Sequence, residues 1–174
     1  MTSKELLVLR PVSAVTPGIG VWLAVLQETR AETLKTLAKI GDLDAQPVRG
    51  HSAGTLLYHI AFVELGWLYN EVLEEVSVKG EAGFPAGTWE WFSVHTYDKQ
   101  GRMIPVPGDS PERHRARLQW VRNKLLEVFS GMTLEEFRRV RVLEHETYDV
   151  TPEWVLMHLA QHEAHHEGQL ALLK

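Results

Sequence analysis

The chain contains no cysteine. That removes disulfides, thiolate metal sites and cysteine nucleophiles together, and it accords with a reducing compartment. It has no apolar run approaching the roughly 20 residues that a bilayer-spanning helix needs. The first residues, Met1 to Leu6, hold no apolar stretch of signal-peptide length, so the expectation is a cytoplasmic protein without a membrane partner. A basic excess is missing too. Lys and Arg number 18 against 23 Asp and Glu, a net charge of -5, which argues against a non-specific nucleic-acid binder. No internal repeat or low-complexity tract interrupts the chain. At 174 residues, with 44% hydrophobic and 24% charged residues, it is expected to fold as one domain over 1–174.

Four segments carry the helical period of three- and four-residue steps. The first spans about Ile19 to Ile40, opened by Thr16-Pro17-Gly18 and closed by Gly41-Asp42. The second spans Ser52 to Lys79, with Ser52 as cap and Leu56, His59, Ile60, Val63 and Trp67 on one face. The third starts at Ser110-Pro111-Glu112 and ends at Gly131; a capping serine, a proline at the first helical position and an acid in the first turn agree with one another. The fourth starts at Thr151-Pro152-Glu153 and runs to the C-terminus. Between the second and third lie about thirty residues, Gly80 to Asp109, rich in proline and glycine but holding Trp89, Trp91, Phe92 and Tyr97. A tight turn between helices needs only roughly two to eight residues. This segment is long enough to run the length of a bundle, and Trp89 and Trp91 are candidates to line a pocket. Arg139 to Leu143 alternates like a short strand that Tyr148-Asp149-Val150 could pair with.

Histidine is what the chain has in excess. Four of its nine histidines, His158, His162, His165 and His166, fall within nine residues. His162 and His166 are four apart, which on a helix places two imidazoles one turn apart on one face. Neutral imidazole is the commonest metal ligand. At about 100° per residue, both fall within the apolar stripe of the fourth helix, with His158 and His165 on its border as candidate supporting groups. Burying two imidazoles without partners costs roughly 1–3 kcal/mol each, and one metal ion would satisfy both. The bland alternative is a pair of core histidines bonded to carboxylates or backbone. For a third ligand the candidate is His59, on the apolar face of the second helix. His51, His95, His114 and His145 read as surface or loop histidines.

His162-Glu163-Ala164-His165-His166 also matches the H-E-x-x-H pattern of zinc peptidases. Such enzymes usually draw a third ligand from further along, and no histidine follows His166. The peptidase reading is therefore disfavoured.

His59-Ile60-Ala61-Phe62-Val63-Glu64, together with His-Glu-Ala-His-His-Glu-Gly-Gln over 162 to 169, resembles the DinB/YfiT-like superfamily. The resemblance covers the whole chain in length and in the order of its elements. It implies an all-α four-helix bundle in up-down-down-up order with the long crossover between the second and third helices. It also implies a divalent metal, zinc or nickel, on His59, His162 and His166, and a homodimer. The activity implied is that of a metal-dependent hydrolase, or of an S-transferase using a low-molecular-weight thiol such as bacillithiol or mycothiol as small-molecule substrate. Where that family commonly has a basic residue after the double histidine, this chain has Glu167. The alternative function is a non-catalytic, metal-binding stress-response module.

Three further residues are candidates for acid, base or supporting work. Glu64, roughly 140° round from His59 on the helical wheel, is expected at a helix edge. Glu163 flanks the apolar stripe and is expected on a solvated face. Gln169, one turn past His166, could orient substrate or a ligand imidazole. Tyr148 and Asp149 are weaker candidates from the loop before the fourth helix.

Overall fold

A computed structural model describes residues 6–45, 50–144 and 146–174, with the backbone alone at 77 and 78. Met1 to Glu5 and His145 lie outside the described residues. Among those described, the chain is all-helical, as expected. The long helices are α1 (Pro17–Leu37), α2 (Ala53–Gly66), α5 (Pro111–Ser130) and α7 (Pro152–Ala171); α3 (Glu75–Lys79), α4 (Thr88–Trp91) and α6 (Leu134–Arg138) are short. None is long and apolar enough to cross a membrane.

The start signals act as their chemistry dictates. The hydroxyls of Ser52, Ser110 and Thr151 accept from the backbone N–H of Thr55, Arg113 and Trp154, satisfying donors that a helix start leaves orphaned. Thr16 is different: it precedes Pro17 at the start of α1, but its hydroxyl donates to the Met132 carbonyl, tying α1 to the end of α5.

The second helix is shorter than its periodicity suggests. It ends at Gly66 and continues as a π-helical turn, Trp67–Val72. It then breaks at Glu74, whose φ of 57° is left-handed, before α3 resumes. A π turn carries an extra residue and rotates the side chains that follow. Here it buries Leu68, Glu71 and Val72. Arg139 and Arg141 lie 3.5 and 3.6 Å from the Glu74 carboxylate and hold the break in place. The alternating segment 139–143 forms a single antiparallel bridge, Arg141 to Val150, rather than a strand. Arg141 is buried and donates to the Val72 carbonyl, so its side chain serves the end of the π turn instead of a sheet face.

The long helices pack in a ring, α1 against α7 and α5, and α2 against the same two. The crossover returns along α2. Tyr58 donates to the Val94 carbonyl at 2.5 Å, Val106 N–H donates to the Thr55 hydroxyl at 3.1 Å, and Gly108 N–H donates to Asp44 at 2.8 Å. The core has two apolar halves. One is built on Leu37, Leu57, Leu118 and Leu170, the other on Leu23, Leu68, Leu125 and Leu156. Between them lies a layer of four charges, one from each long helix: Arg30 of α1, Glu64 of α2, Arg122 of α5 and Glu163 of α7.

Candidate metal centre

That charged layer closes on itself. Arg30 reaches Glu163 at 2.5 Å and Glu64 at 2.7 Å, and Arg122 reaches Glu64 at 2.7 Å and Glu163 at 2.8 Å. The remaining donors find backbone: Arg30 bonds Leu118 O at 2.9 Å and Arg122 bonds Leu26 O at 2.7 Å. Burial by itself would push the Glu64 carboxyl up, but the charges and hydrogen bonds of Arg122 and Arg30 outweigh it and hold the group ionised. The same pairing, against burial, raises the Arg122 guanidinium.

Two expectations are corrected here. Glu64 is not at a helix edge and Glu163 is not on a solvated face; each is 2% exposed. The stripe α7 buries runs through Val155, Leu159, Glu163, His166 and Leu170, so its centre lies nearer Glu163 than His162. Two arginines on apolar stripes, Arg30 between Leu26 and Leu37 and Arg122 beside Val121 and Leu125, demand two inward acids. That was the available signal. It also disposes of the peptidase pattern, because Glu163 is held by two guanidinium groups and cannot act as a general base.

Beside this layer, α2 and α7 bring three imidazoles together. His59 Nε2 lies 3.0 Å from His162 Nε2, and His166 Nε2 lies 3.2 Å from the same atom. The edge of a zinc-centred tetrahedron of imidazole nitrogens is about 3.3 Å, from bonds of about 2.0–2.1 Å. Ligand atoms of all three residues fall within 4.8 Å of one another and could hold one metal ion. His59 is 2% exposed and His166 8%, while His162 is half-buried on the outer side. Burial first, then the mutual repulsion of the rings, pushes His59 down to about 4 and His162 to about 3. His166 is also lowered by burial, although its bond to Gln169 opposes the shift. The rings therefore stay neutral and keep lone pairs free. Three lone pairs facing one another repel, and a cation relieves that. The residues present fit a divalent ion.

The surroundings have three parts. Gln169 Oε1 sits 2.7 Å from His166 Nδ1. Tyr97 stands edge-on to His59 with ring centres 5.4 Å apart, so the crossover aromatic that reaches the site is Tyr97. Trp91 packs on Trp120, and Trp89 lies in a shallow hollow with Phe84 and Pro85. On the third side His158 stacks on Trp154, ring centres 4.9 Å apart and 9° from parallel, and leads into a groove of about 610 Å³ lined by Trp67, Val140, Tyr148 and Trp154.

Two residues near these features carry no sequence signal of their own. His114, read as a surface histidine, is 1% exposed, its ring beside Gly54 at the start of α2. Glu71, on the π turn, is 6% exposed; burial, with Glu146 adding to it, pushes its carboxyl up to about 7 against the bonds from Asn70 and Tyr148.

No curated protein matches this chain. A sequence model described as mycothiol-S-transferase matches residues 21–174, a span that takes in α2, α5 and α7 whole, all of α1 but its first turn, and every histidine of the triad. The chain therefore belongs to the mycothiol-S-transferase family, within the DinB/YfiT-like superfamily that the histidine motifs resemble.

Proposed function

We propose that this protein transfers a low-molecular-weight thiol, mycothiol or a close relative, to a small electrophile, and that His59, His162 and His166 hold a divalent ion for that purpose. The observation that carries the reading is the convergence of three neutral imidazole Nε2 atoms in a chain of this family. Imidazole suits zinc and nickel alike. Such an ion, when bound, supplies the positive charge that favours thiolate over thiol at neutral pH.

The chain's own residues prepare the site. The His166 Nδ1–H donates to Gln169 Oε1 at 2.7 Å, which leaves the Nε2 lone pair pointing inward. The charged layer beside the triad ties α2 to α7 through both arginines, fixing the spacing that the three rings must span. Tyr97 covers one side of His59 and excludes water there. Sulfur transfer needs no strong general base at the site. Hydrolysis assisted by a carboxylate base would need a free acid, and the two acidic candidates on the triad's helices, Glu64 and Glu163, are both committed to arginine. That favours the transferase over the hydrolase.

The bundle itself is read as up-down-down-up. Contacts pair Arg30 with Glu163 and Thr36 with Glu167, so residue numbers rise together in α1 and α7. They pair Tyr58 with Arg117 and Glu64 with Arg122 in α2 and α5. They run oppositely between α1 and α5, where Leu26 meets Arg122 and Arg30 meets Leu118.

The test is metal analysis of the purified protein alongside conjugation of mycothiol to monochlorobimane. About one divalent ion per chain is expected, lost together with conjugation in His59→Ala and in His162→Ala. A fully loaded wild type that fails to conjugate, or alanine variants with undiminished metal, would overturn the reading.

A further inference from the structure

The groove beside the triad has walls that are almost entirely carbon: the indoles of Trp67 and Trp154, the Tyr148 ring, and the side chains of Val140 and Val150. Its rings form flat surfaces. Trp67 stacks on Tyr148 with centres 5.9 Å apart and 21° between planes, and Trp154 stacks on His158 at 9°. His158 lies 4.5 Å from Trp67 and 6.1 Å from the His162 ring, so the aromatic surface runs without a break to the metal ligands. Exposed indoles on a soluble surface are costly unless something covers them, yet Trp154 is 44% exposed and Tyr148 39%. Among the residues that line it, the charged side chain is Asp149, beside the neutral hydroxyl of Thr151. Glu71 and Glu146 stand close enough to Tyr148 to push its phenol up to about 12, after burial. The phenol is thus a hydrogen-bond donor at any ordinary pH, and its hydroxyl lies 3.4 Å from Glu71 Oε1.

We propose that this groove binds the electrophilic acceptor, and that it selects flat, uncharged aromatic compounds over anionic ones. The inference rests on the transferase reading above and adds the chemical class of its second substrate. Planar rings gain stacking area against Trp154 and Trp67, while Asp149 in the lining and Glu146 beside Tyr148 repel a carboxylate. With 1-chloro-2,4-dinitrobenzene as acceptor, the thiolate lone pair forms the carbon–sulfur bond at the chlorine-bearing ring carbon. The carbon–chlorine bond breaks, chloride leaves with the bonding pair, and the thiol proton passes to solvent.

Two measurements test it. In the first, equilibrium dialysis of 1-chloro-2,4-dinitrobenzene against metal-free protein reads binding without catalysis; the chain has no cysteine for the probe to label. In the second, steady-state kinetics separate the KM of acceptor and thiol. Trp154→Ala is expected to weaken dialysis binding and raise the acceptor KM at least tenfold, with the thiol KM and metal content unchanged. Val140→Trp, which fills the groove from an exposed position, is expected to do the same should Trp154→Ala fold poorly. The carboxylated analogue 4-chloro-3-nitrobenzoate is expected to bind at least tenfold more weakly than the neutral probe. Unchanged acceptor binding in both variants, a rise in the thiol KM instead, or equal binding of the anionic analogue would overturn the proposal. Were the protein inactive with every acceptor, the transferase reading would fall, and dialysis alone would still decide whether the groove takes flat neutral rings.

Discussion

Gln169 Oε1 accepts from His166 Nδ1 across 2.7 Å, one helical turn from the ring it orients. Partners of this kind fix the tautomer of a metal-ligating imidazole, and their loss typically costs 10–100-fold in affinity. Gln169→Leu is therefore expected to weaken zinc binding by that order in a chelator-competition titration. Gln169→Glu keeps an acceptor at the same place and is expected to restore tight binding. An unchanged affinity in Gln169→Leu would show that the contact does not prepare His166.

The charged layer makes a stability prediction with an internal control. Glu64 faces Arg30 and Arg122 with all three side chains buried. Removing one member of a buried ion pair strands its partner and costs on the order of 3–5 kcal/mol. Glu64→Gln should lose about that much in urea unfolding. Glu64→Leu combined with Arg122→Leu leaves Arg30 and Glu163 balanced and should recover most of the loss. A single variant within about 1 kcal/mol of wild type would contradict the charge-balance argument.

The sequence carried the helical class and the caps at Ser52, Ser110 and Thr151, because periodicity and local hydrogen bonding act within a few residues; that His59 meets His162 and His166 from another helix was expected from its apolar face and from the family resemblance. The charged layer was not visible in the same way. Glu64 and Glu163 look like ordinary surface acids on a wheel, and only their long-range partners, Arg30 and Arg122, make their burial tolerable. The break at Glu74 escaped for a similar reason: the apolar pattern continues through Trp67, Leu68 and Val72, and what stops the helical run is the left-handed Glu74, held by Arg139 and Arg141 far along the chain. His114 was misplaced because its ring is buried against Gly54 at the start of α2, a contact distant in sequence that leaves no periodic trace.

His114 sets a pH dependence whose sign follows from its environment. Burial first, then Arg117 and more weakly Arg113, lowers its imidazole to about 4, against opposing attraction from Asp109 and Asp44. Arg117 donates to Nδ1 at 3.1 Å, which keeps the ring neutral. The unfolded chain takes up this proton near pH 6.5, the folded chain only near 4, so the unfolded state binds more protons between the two and stability falls as the solution is acidified. The loss begins below about pH 6.5 and reaches on the order of 3 kcal/mol by pH 4. His114→Gln removes the titration while keeping an acceptor for Arg117. The stability of wild type relative to this variant should therefore decline through that window in urea titrations at stepped pH; a constant difference would show that His114 does not report its burial.

Metal removal offers a check that needs no substrate. A ligand bound only by the folded state stabilises it by about 4 kcal/mol at a thousand times its dissociation constant. For a chain of this length each kcal/mol moves Tm by roughly 2–4 °C, so stripping the ion with a chelator should lower Tm by on the order of 10 °C, and restoring zinc should reverse the change. His59→Ala should melt at the same temperature with and without zinc, because α7 alone then supplies two imidazoles and the link between α2 and α7 is lost. His95→Ala, at an exposed hydrogen bond with Glu81 outside the triad, should keep the full zinc response. A zinc response that survives in His59→Ala would place the ion elsewhere and leave the three converging rings without the role assigned to them.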